Sequence, residues 1–102
     1  MQKFMVIHKA PELDWSTVEE NWRKLASVES ATWVKTYFNV KEGVRCCVWM
    51  APDAEELKKV FDGLNISYES VMQVSETTPD MWGDKWEEHL AAEEAADTLG
   101  IL

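Results

Sequence analysis

The sequence predicts an α+β domain in which strands and helices follow the order β-α-β-β-α-β, with one further helix at the C-terminal end. Two observations support this order: amphipathic segments with apolar residues three and four apart, and short β-prone segments of which two are joined by a glycine-containing turn. The 102 residues fit a single domain with a modest core. A formal net charge of −9 opposes binding to a phosphate backbone, so we expect no nucleic-acid partner.

The first strand is predicted over Lys3–His8, a short apolar segment. A helix is predicted next over Asp14–Val28, because its apolar residues recur at helical spacing. Ser16 and Glu19 have the spacing of a capping box, so the first turn begins either at Asp14 or at Ser16. The apolar stripe of this helix consists of Trp15, Val18, Trp22 and Leu25.

The two central strands are predicted over Ala31–Val40 and Val44–Met50, joined by three residues that end in Gly43. A three-residue loop with a final glycine suits a type I turn followed by a bulge. The resulting register pairs Tyr37 with Cys47. It places one apolar set beneath the helices: Val34, Thr36, Phe38, Val40, Val44, Cys46, Val48 and Met50. The other set, which we call the aromatic hairpin set, is expected on the side of the sheet away from the helices: Trp33, Lys35, Tyr37, Arg45, Cys47 and Trp49.

The second helix is predicted to begin at the N-cap Asp53, with Glu56 three residues later, and to end near Gly63. The fourth strand is predicted over Tyr68–Ser75. A third helix is predicted over Met81–Leu99, with Gly100 as its stop. The buried stripe of the second helix is predicted to be Leu57, Val60, Phe61 and Leu64.

This order of elements is the ferredoxin-like arrangement, an antiparallel sheet with two helices on one face. We assign residues 1–80 to this domain and residues 81–102 to a helical extension that packs on the domain or on a dimer partner. The sequence has no apolar run of the roughly 18–20 residues needed for a membrane span, so no membrane association is predicted. Cys46 and Cys47 are adjacent and are expected to be free thiols in the cytoplasm.

Two segments of the hairpin carry a family resemblance: Trp33-Val34-Lys35-Thr36-Tyr37 and Cys47-Val48-Trp49-Met50-Ala51-Pro52-Asp53. Together with Val6-Ile7-His8 and the Glu76-Thr77 segment, they resemble a family of small bacterial domains of unknown function, some described as nickel-binding. The resemblance covers about residues 4–79. It implies a ferredoxin-like fold and a homodimer of the dimeric α+β barrel type, and it implies no particular reaction. Position 8 is His here, where many relatives are expected to have an acidic residue.

The aromatic hairpin set is the best candidate for a binding site. Trp, Tyr and Arg are enriched at protein interfaces, so this surface is either a dimer interface alone or an interface with a ligand pocket. In a pocket the indoles would stack on a ligand, Lys35 or Arg45 would neutralise an anionic group, and Tyr37 would donate a hydrogen bond. Cys47 is either a cation-activated thiol or an inert buried cysteine, and the sequence favours the latter.

A divalent metal such as nickel is a second candidate ligand, with His8, Glu12 and Glu76 as its ligands, because imidazole and carboxylates suit such ions. A strand-end histidine with one local hydrogen bond is the alternative that the sequence favours for His8. His89 and Glu93 also share a helix face, although the acidic residues around them are more typical of a solvated surface.

The favoured function is therefore a small dimeric binding module for a divalent metal or for a small apolar or anionic ligand. An enzyme of the dimeric α+β barrel type, similar to oxygenases or isomerases, is one alternative. A structural or regulatory partner protein that docks through its Trp-rich tail is another. The sequence assigns no catalytic residues.

Overall fold

The computed structural model describes residues 1–9 and 14–99, and within these the side chains up to Ala95. Four antiparallel strands form one sheet in the order β2-β3-β1-β4. With the helices α1 and α2 on one face, this sheet order confirms the ferredoxin-like fold. The elements are β1 (Gln2–Lys9), α1 (Trp15–Leu25), β2 (Thr32–Asn39), β3 (Val44–Ala51), α2 (Ala54–Gly63), β4 (Ser70–Gln73), a 3₁₀ turn (Pro79–Met81) and α3 (Trp86–Leu99).

Two aspartates begin the helices that cover the sheet. Asp14 accepts a hydrogen bond from the Thr17 backbone N–H at 2.8 Å, so α1 begins from Asp14 and not from Ser16. Asp53 likewise accepts from the Glu56 backbone N–H at 2.8 Å, which confirms the predicted N-cap of α2. Each carboxylate satisfies a backbone donor that has no partner within its helix.

The predicted end of α2 near Gly63 is confirmed, since Gly63 is its last residue, and the left-handed residue that follows is Asn65, with φ of 58°. At the C-terminal end, Gly83 has φ of 93° and separates the 3₁₀ turn from α3, so this helix begins at Trp86 rather than at Met81. Gly100, the predicted stop, lies outside the described residues.

The core lies between the sheet and the helices α1 and α2. Its central contact is between Trp49 of β3 and Phe61 of α2, whose rings meet nearly perpendicular at 5.4 Å between centroids. Both side chains are almost completely buried. The buried cluster consists of Phe4, Val6, Leu25, Ala31, Cys47, Trp49, Ala51, Leu57, Phe61 and Ile66. Odd-numbered residues of β3 therefore face the helices.

The prediction for β3 was wrong because the hairpin loop has four residues, 40–43, rather than three. Gly43 N–H donates to the Asn39 carbonyl at 2.9 Å, and Val44 pairs with Asn39. The register is thereby shifted by one residue, so Tyr37 pairs with Cys46. A shift of one residue exchanges the two faces of a strand relative to its neighbour. In β2 the predicted core residue Phe38 does meet α1, since its ring lies 4.8 Å from that of Trp15.

A β-bulge between Trp33 and Lys35 is a second irregularity of the hairpin, and it reverses which side of the sheet the odd-numbered residues of β2 face. Trp33 pairs with Trp49, and the two indoles stack at 6.0 Å with only 8° between their planes. The aromatic hairpin set is consequently divided between the two sides of the sheet. Four members lie on the helix side: Trp33, Arg45, Cys47 and Trp49. Lys35 and Tyr37 lie on the opposite side, and Tyr37 is 62% exposed.

The C-terminal helix α3 meets β1 on the side opposite to α1 and α2, because Lys3 alternates with the core residue Phe4. The Lys3 amine lies 4.0 Å from the Glu93 carboxylate. Trp82 and Trp86 stack on each other at 6.4 Å, yet both remain exposed, as does Leu90. None of the helices in the described part of the chain combines the length and the apolar character that crossing a bilayer requires.

Candidate functional site

Helix α1 covers the sheet loosely. Leu25 is its one buried residue, and Trp22, which belongs to the predicted apolar stripe, is 55% exposed. Two openings remain between α1 and the sheet. We call the opening beside the C-terminal end of α1, at Trp22 and Leu25, the aromatic cleft. We call the opening along Thr17, Asn21 and Lys24 of the same helix the polar pocket.

The aromatic cleft has a volume of about 460 Å³ and lies between Trp22 and Leu25 of α1 and Trp33, Lys35 and Thr36 of β2. The Trp33 indole is held in place by its N–H, which donates to the Thr36 hydroxyl at 2.6 Å and to the Lys35 carbonyl at 3.2 Å. A fixed indole wall beside the apolar side chain of Leu25 suits a ligand with a flat or apolar part.

The polar pocket has a volume of about 190 Å³ and is lined on the sheet side by His8 and Arg45. These residues are direct neighbours across the β1–β3 pairing. Their side chains are nearly inaccessible, at 2% exposure for His8 and 3% for Arg45. Residues of α1 and of the loop before β4 complete the lining, namely Thr17, Asn21, Lys24, Asn65, Ile66 and Ser67, together with Lys9.

His8 is held as a neutral imidazole with a defined tautomer. Its Nδ1 lies 2.7 Å from the Ser67 carbonyl, which can only accept, so Nδ1 carries the hydrogen and Nε2 carries the lone pair. Burial lowers the pKa of His8 to about 4, and the Arg45 guanidinium acts in the same direction, whereas the bond to Ser67 opposes the shift. His8 is therefore uncharged at neutral pH.

Four buried polar atoms beneath the helices have no hydrogen-bond partner among the described residues. They are His8 Nε2, Arg45 Nε, Arg45 Nη1 and Trp49 Nε1. Buried polar groups are paired in the great majority of cases, and leaving one unpaired costs roughly 1–3 kcal/mol. The helix side of β1 and β3 thus presents three donors and one acceptor that something outside the described residues could satisfy.

The aromatic hairpin set contributes to this region, although not in the way the sequence predicted. Trp33 and Lys35 line the aromatic cleft, and Arg45 lines the polar pocket. Cys47 lies in the core, where burial raises the pKa of its thiol and the Thr36 hydroxyl donates to its sulfur at 3.3 Å. This environment agrees with the inert cysteine that the sequence favoured. Tyr37 points away from both openings.

Sequence reasoning missed the pairing of His8 with Arg45. The alternation of Phe4, Val6 and His8 along β1 offered the only signal, because it puts His8 in line with two core residues. The sequence did not determine which side of the sheet these three residues face. The sheet order that brings Arg45 beside His8 depends on contacts between distant segments.

The predicted metal ligands are not brought together. The Ile7 carbonyl accepts from Glu69 N–H and the Lys3 carbonyl from Val74 N–H, so Glu76 lies beyond the Lys3 end of β1, whereas His8 lies at the other end. At about 3.3 Å per strand residue, these ends are roughly 17 Å apart, too far for one ion. Glu12 lies outside the described residues.

A third opening, the tail groove, has a volume of about 380 Å³ and is lined by Glu76, Trp82, Trp86, His89 and Glu93 among others. The Glu93 carboxylate accepts from the Glu76 backbone N–H at 3.5 Å. His89 and Glu93 thus share a groove as well as a helix face. Within the described residues, however, no three His, Cys, Asp or Glu side chains are grouped so that they could hold a metal ion.

Two comparisons with known proteins gave matches, one to a family model and one to a solved structure. A family model described as "Nickel responsive protein SCO4226-like" matches residues 4–74. The structure is similar to that of SCO4226 from Streptomyces coelicolor A3(2), with a TM-score of 0.68 and 15% sequence identity, over 74% of this chain and 99% of that chain. Identity this low supports the fold alone. No curated protein matched. Because the family model spans more than half of the sequence, this chain belongs to the SCO4226-like family of nickel-responsive proteins.

Proposed function

We propose that this protein is a small binding module whose ligand lies between α1 and the sheet. One observation carries the proposal: buried polar atoms of His8 and Arg45 lack partners among the described residues, and both residues line an opening beneath α1, a helix that buries only Leu25. A bound molecule would supply those partners and fill the space. Such convergence of a few polar groups within apolar walls is typical of small-molecule sites.

The environment of Cys47, the nucleophilic candidate of the hairpin, favours binding over catalysis. Cys47 has a raised thiol pKa and lies in the core, so it is held as the weakly reactive thiol. Its hydrogen-bond neighbour is the Thr36 hydroxyl rather than a base. The enzyme hypothesis therefore finds no support in the hairpin, and the binding hypothesis accounts for the same residues without a reaction.

Nickel, which the family description names, does not fit the polar pocket. A divalent cation at His8 Nε2 would lie beside the Arg45 guanidinium, and two like charges at such close range in a buried site repel strongly. In the tail groove His89 and Glu93 could supply two ligands, but the described residues provide no third. A test of direct nickel binding should therefore be directed at His89 and Glu93 of the tail groove.

We also propose that the module is a cytoplasmic homodimer. The exposed aromatic residues Trp82 and Trp86 and the exposed Leu90 support association, since contiguous apolar surface of this kind marks interaction sites. Truncation of residues 81–102 should then convert the dimer to a monomer while the far-ultraviolet spectrum of the domain is retained. A dimer that survives the truncation would refute the role of the tail.

Native mass spectrometry of freshly purified protein tests the central proposal, because it reports the subunit count together with any retained molecule or ion. We expect a retained small molecule, and we expect that Arg45→Met, which removes two of the unpartnered donors, weakens its retention. Arg23→Met is the matched control, since Arg23 is an exposed arginine on α1. Loss of retention in the control but not in Arg45→Met, or a ligand-free protein that captures nothing from a cell extract, would contradict a ligand beneath α1.

A further inference from the structure

We infer that the polar pocket beneath α1 binds a small oxyanion that carries one O–H group, with hydrogen phosphate as the simplest example. This inference rests on the proposed binding function and names the class of ligand. Its basis is that His8 and Arg45, neighbours across the β1–β3 pairing, both line a pocket of about 190 Å³, and that each has buried polar atoms without a partner among the described residues.

The charges around the pocket favour an anion. Lys9, Lys24 and Arg45 all line it, and its described lining includes no acidic residue. The Lys9 amine has Glu69 as a partner at 3.5 Å, but both groups are largely exposed, so this pair does little to neutralise the interior. Lys9 follows His8 in β1, so its side chain points to the other side of the sheet. In a chain of net charge −9, the Arg45 and Lys24 side chains still make this pocket a local positive site.

The hydrogen-bond inventory adds the requirement for an O–H group. Arg45 Nε and Nη1 are donors, so they need the oxygen atoms of an anion. His8 Nε2 is an acceptor, because the Ser67 carbonyl fixes the hydrogen on Nδ1. A fully deprotonated anion would place its negative oxygen against this lone pair. An oxyanion with one remaining proton satisfies Arg45 with its oxygens and His8 with its O–H.

Thermal unfolding at constant ionic strength tests the inference with phosphate and sulfate, which are similar in size and differ in that sulfate has no O–H at neutral pH. We expect phosphate to raise the melting temperature saturably and more than sulfate does. Arg45→Met should abolish the phosphate effect, whereas the control Arg23→Met, an exposed arginine on α1, should retain it. An equal response to phosphate in wild type and Arg45→Met, or an equal response to phosphate and sulfate, would overturn the inference.

A second measurement avoids dependence on the folding of Arg45→Met. The chain has two histidines, so phosphate addition to the wild type can be followed by the imidazole resonances of His8 and His89 at fixed pH. We expect His8 to shift and His89 to remain in place. A shift confined to His89, or no shift in either, would count against the pocket.

Three further comparisons distinguish the kind of ligand that the polar pocket binds. Phenyl phosphate has lost its last O–H near neutral pH, because the second pKa of a phosphate monoester is about 6. We therefore expect it to bind more weakly than inorganic phosphate, and tighter binding of phenyl phosphate would overturn the requirement for an O–H group. A phosphate effect that appears only in Glu12→Gln would mean that the Glu12 carboxylate competes for Arg45, which overturns it. If phosphate fails while native mass spectrometry finds a retained neutral molecule, the anion inference falls and the proposed binding function stands.

Discussion

Mild acid is expected to destabilise this protein through a single side chain, His8. Its ring is 2% exposed, donates to the Ser67 carbonyl at 2.7 Å and lies 5.3 Å from the Phe61 ring. Burial lowers its pKa from 6.5 to about 4. Between these two values the unfolded chain binds a proton at this position and the folded chain does not, so stability falls as the pH falls.

The size of the effect follows from the pKa difference. Each pH unit below 6.5 removes about 1.4 kcal/mol from the free energy of unfolding, and the loss reaches about 3 kcal/mol near pH 4. Above pH 6.5 His8 is neutral in both states and contributes no pH dependence. Lowering the pH from 7 to about 5 should therefore cost about 2 kcal/mol through His8 alone.

Urea unfolding followed by tryptophan fluorescence at several pH values measures this loss. Carboxylates also titrate in acid, so the informative quantity is the difference between wild type and His8→Asn, which retains a donor near the position of Nδ1. We expect the variant to lose about 2 kcal/mol less than the wild type between pH 7 and 5. His89→Asn is the matched control and should follow the wild type. Parallel curves for wild type and His8→Asn would refute the reasoning.

Three further predictions concern the core, a helix cap and the cysteines. Phe61→Ala should lower the free energy of unfolding by about 3–5 kcal/mol, because it removes a buried ring between aromatic neighbours, and a loss below about 1 kcal/mol in chemical denaturation would contradict this packing. Asp53→Ala should cost about 1 kcal/mol through the lost N-cap of α2, with Asp62→Ala on the same helix costing less; equal losses would contradict the cap. In the native protein a thiol reagent should label Cys46 before the buried Cys47, so Cys46→Ser should remove the fast reaction and Cys47→Ser should keep it; the opposite assignment would refute the described facing of β3.

Local signals in the sequence predicted the start of α2 at Asp53 and restricted the start of α1 to Asp14 or Ser16. The caps at Asp14 and Asp53 depend on a side chain and a backbone N–H three residues later, so both partners lie within one short segment. The order of elements could be predicted for the same reason, since amphipathic spacing is a local property. The third helix is the exception: the sequence predicted its start at Met81, whereas Gly83 has a positive φ and α3 begins at Trp86.

The facing of the hairpin could not be predicted, because it depends on a single residue of loop length and on a bulge. A three-residue and a four-residue loop both suit Gly43, and they exchange the two sides of β3 relative to β2. Tertiary packing decides between them: the Trp49 ring makes a larger contact with Phe61 beneath the helices than Val48 would, and Val48 is buried on the other side of the sheet. The polar pocket follows from the same choice, since Arg45 and Trp49 share one side of β3.

The irregular pairing between Trp33 and Lys35 has a consequence for solution behaviour. β2 is an outermost strand of the sheet, and the backbone groups on its free side could recruit a strand from another molecule. The extra residue of the bulge bends this edge strand, and the Lys35 ammonium places a charge on it. Natural sheets use both features to prevent edge-to-edge aggregation. Deletion of Val34 should remove the bulge and straighten the edge strand. The variant should therefore form fibrillar or amorphous precipitate at concentrations at which a solution of the parent protein remains clear.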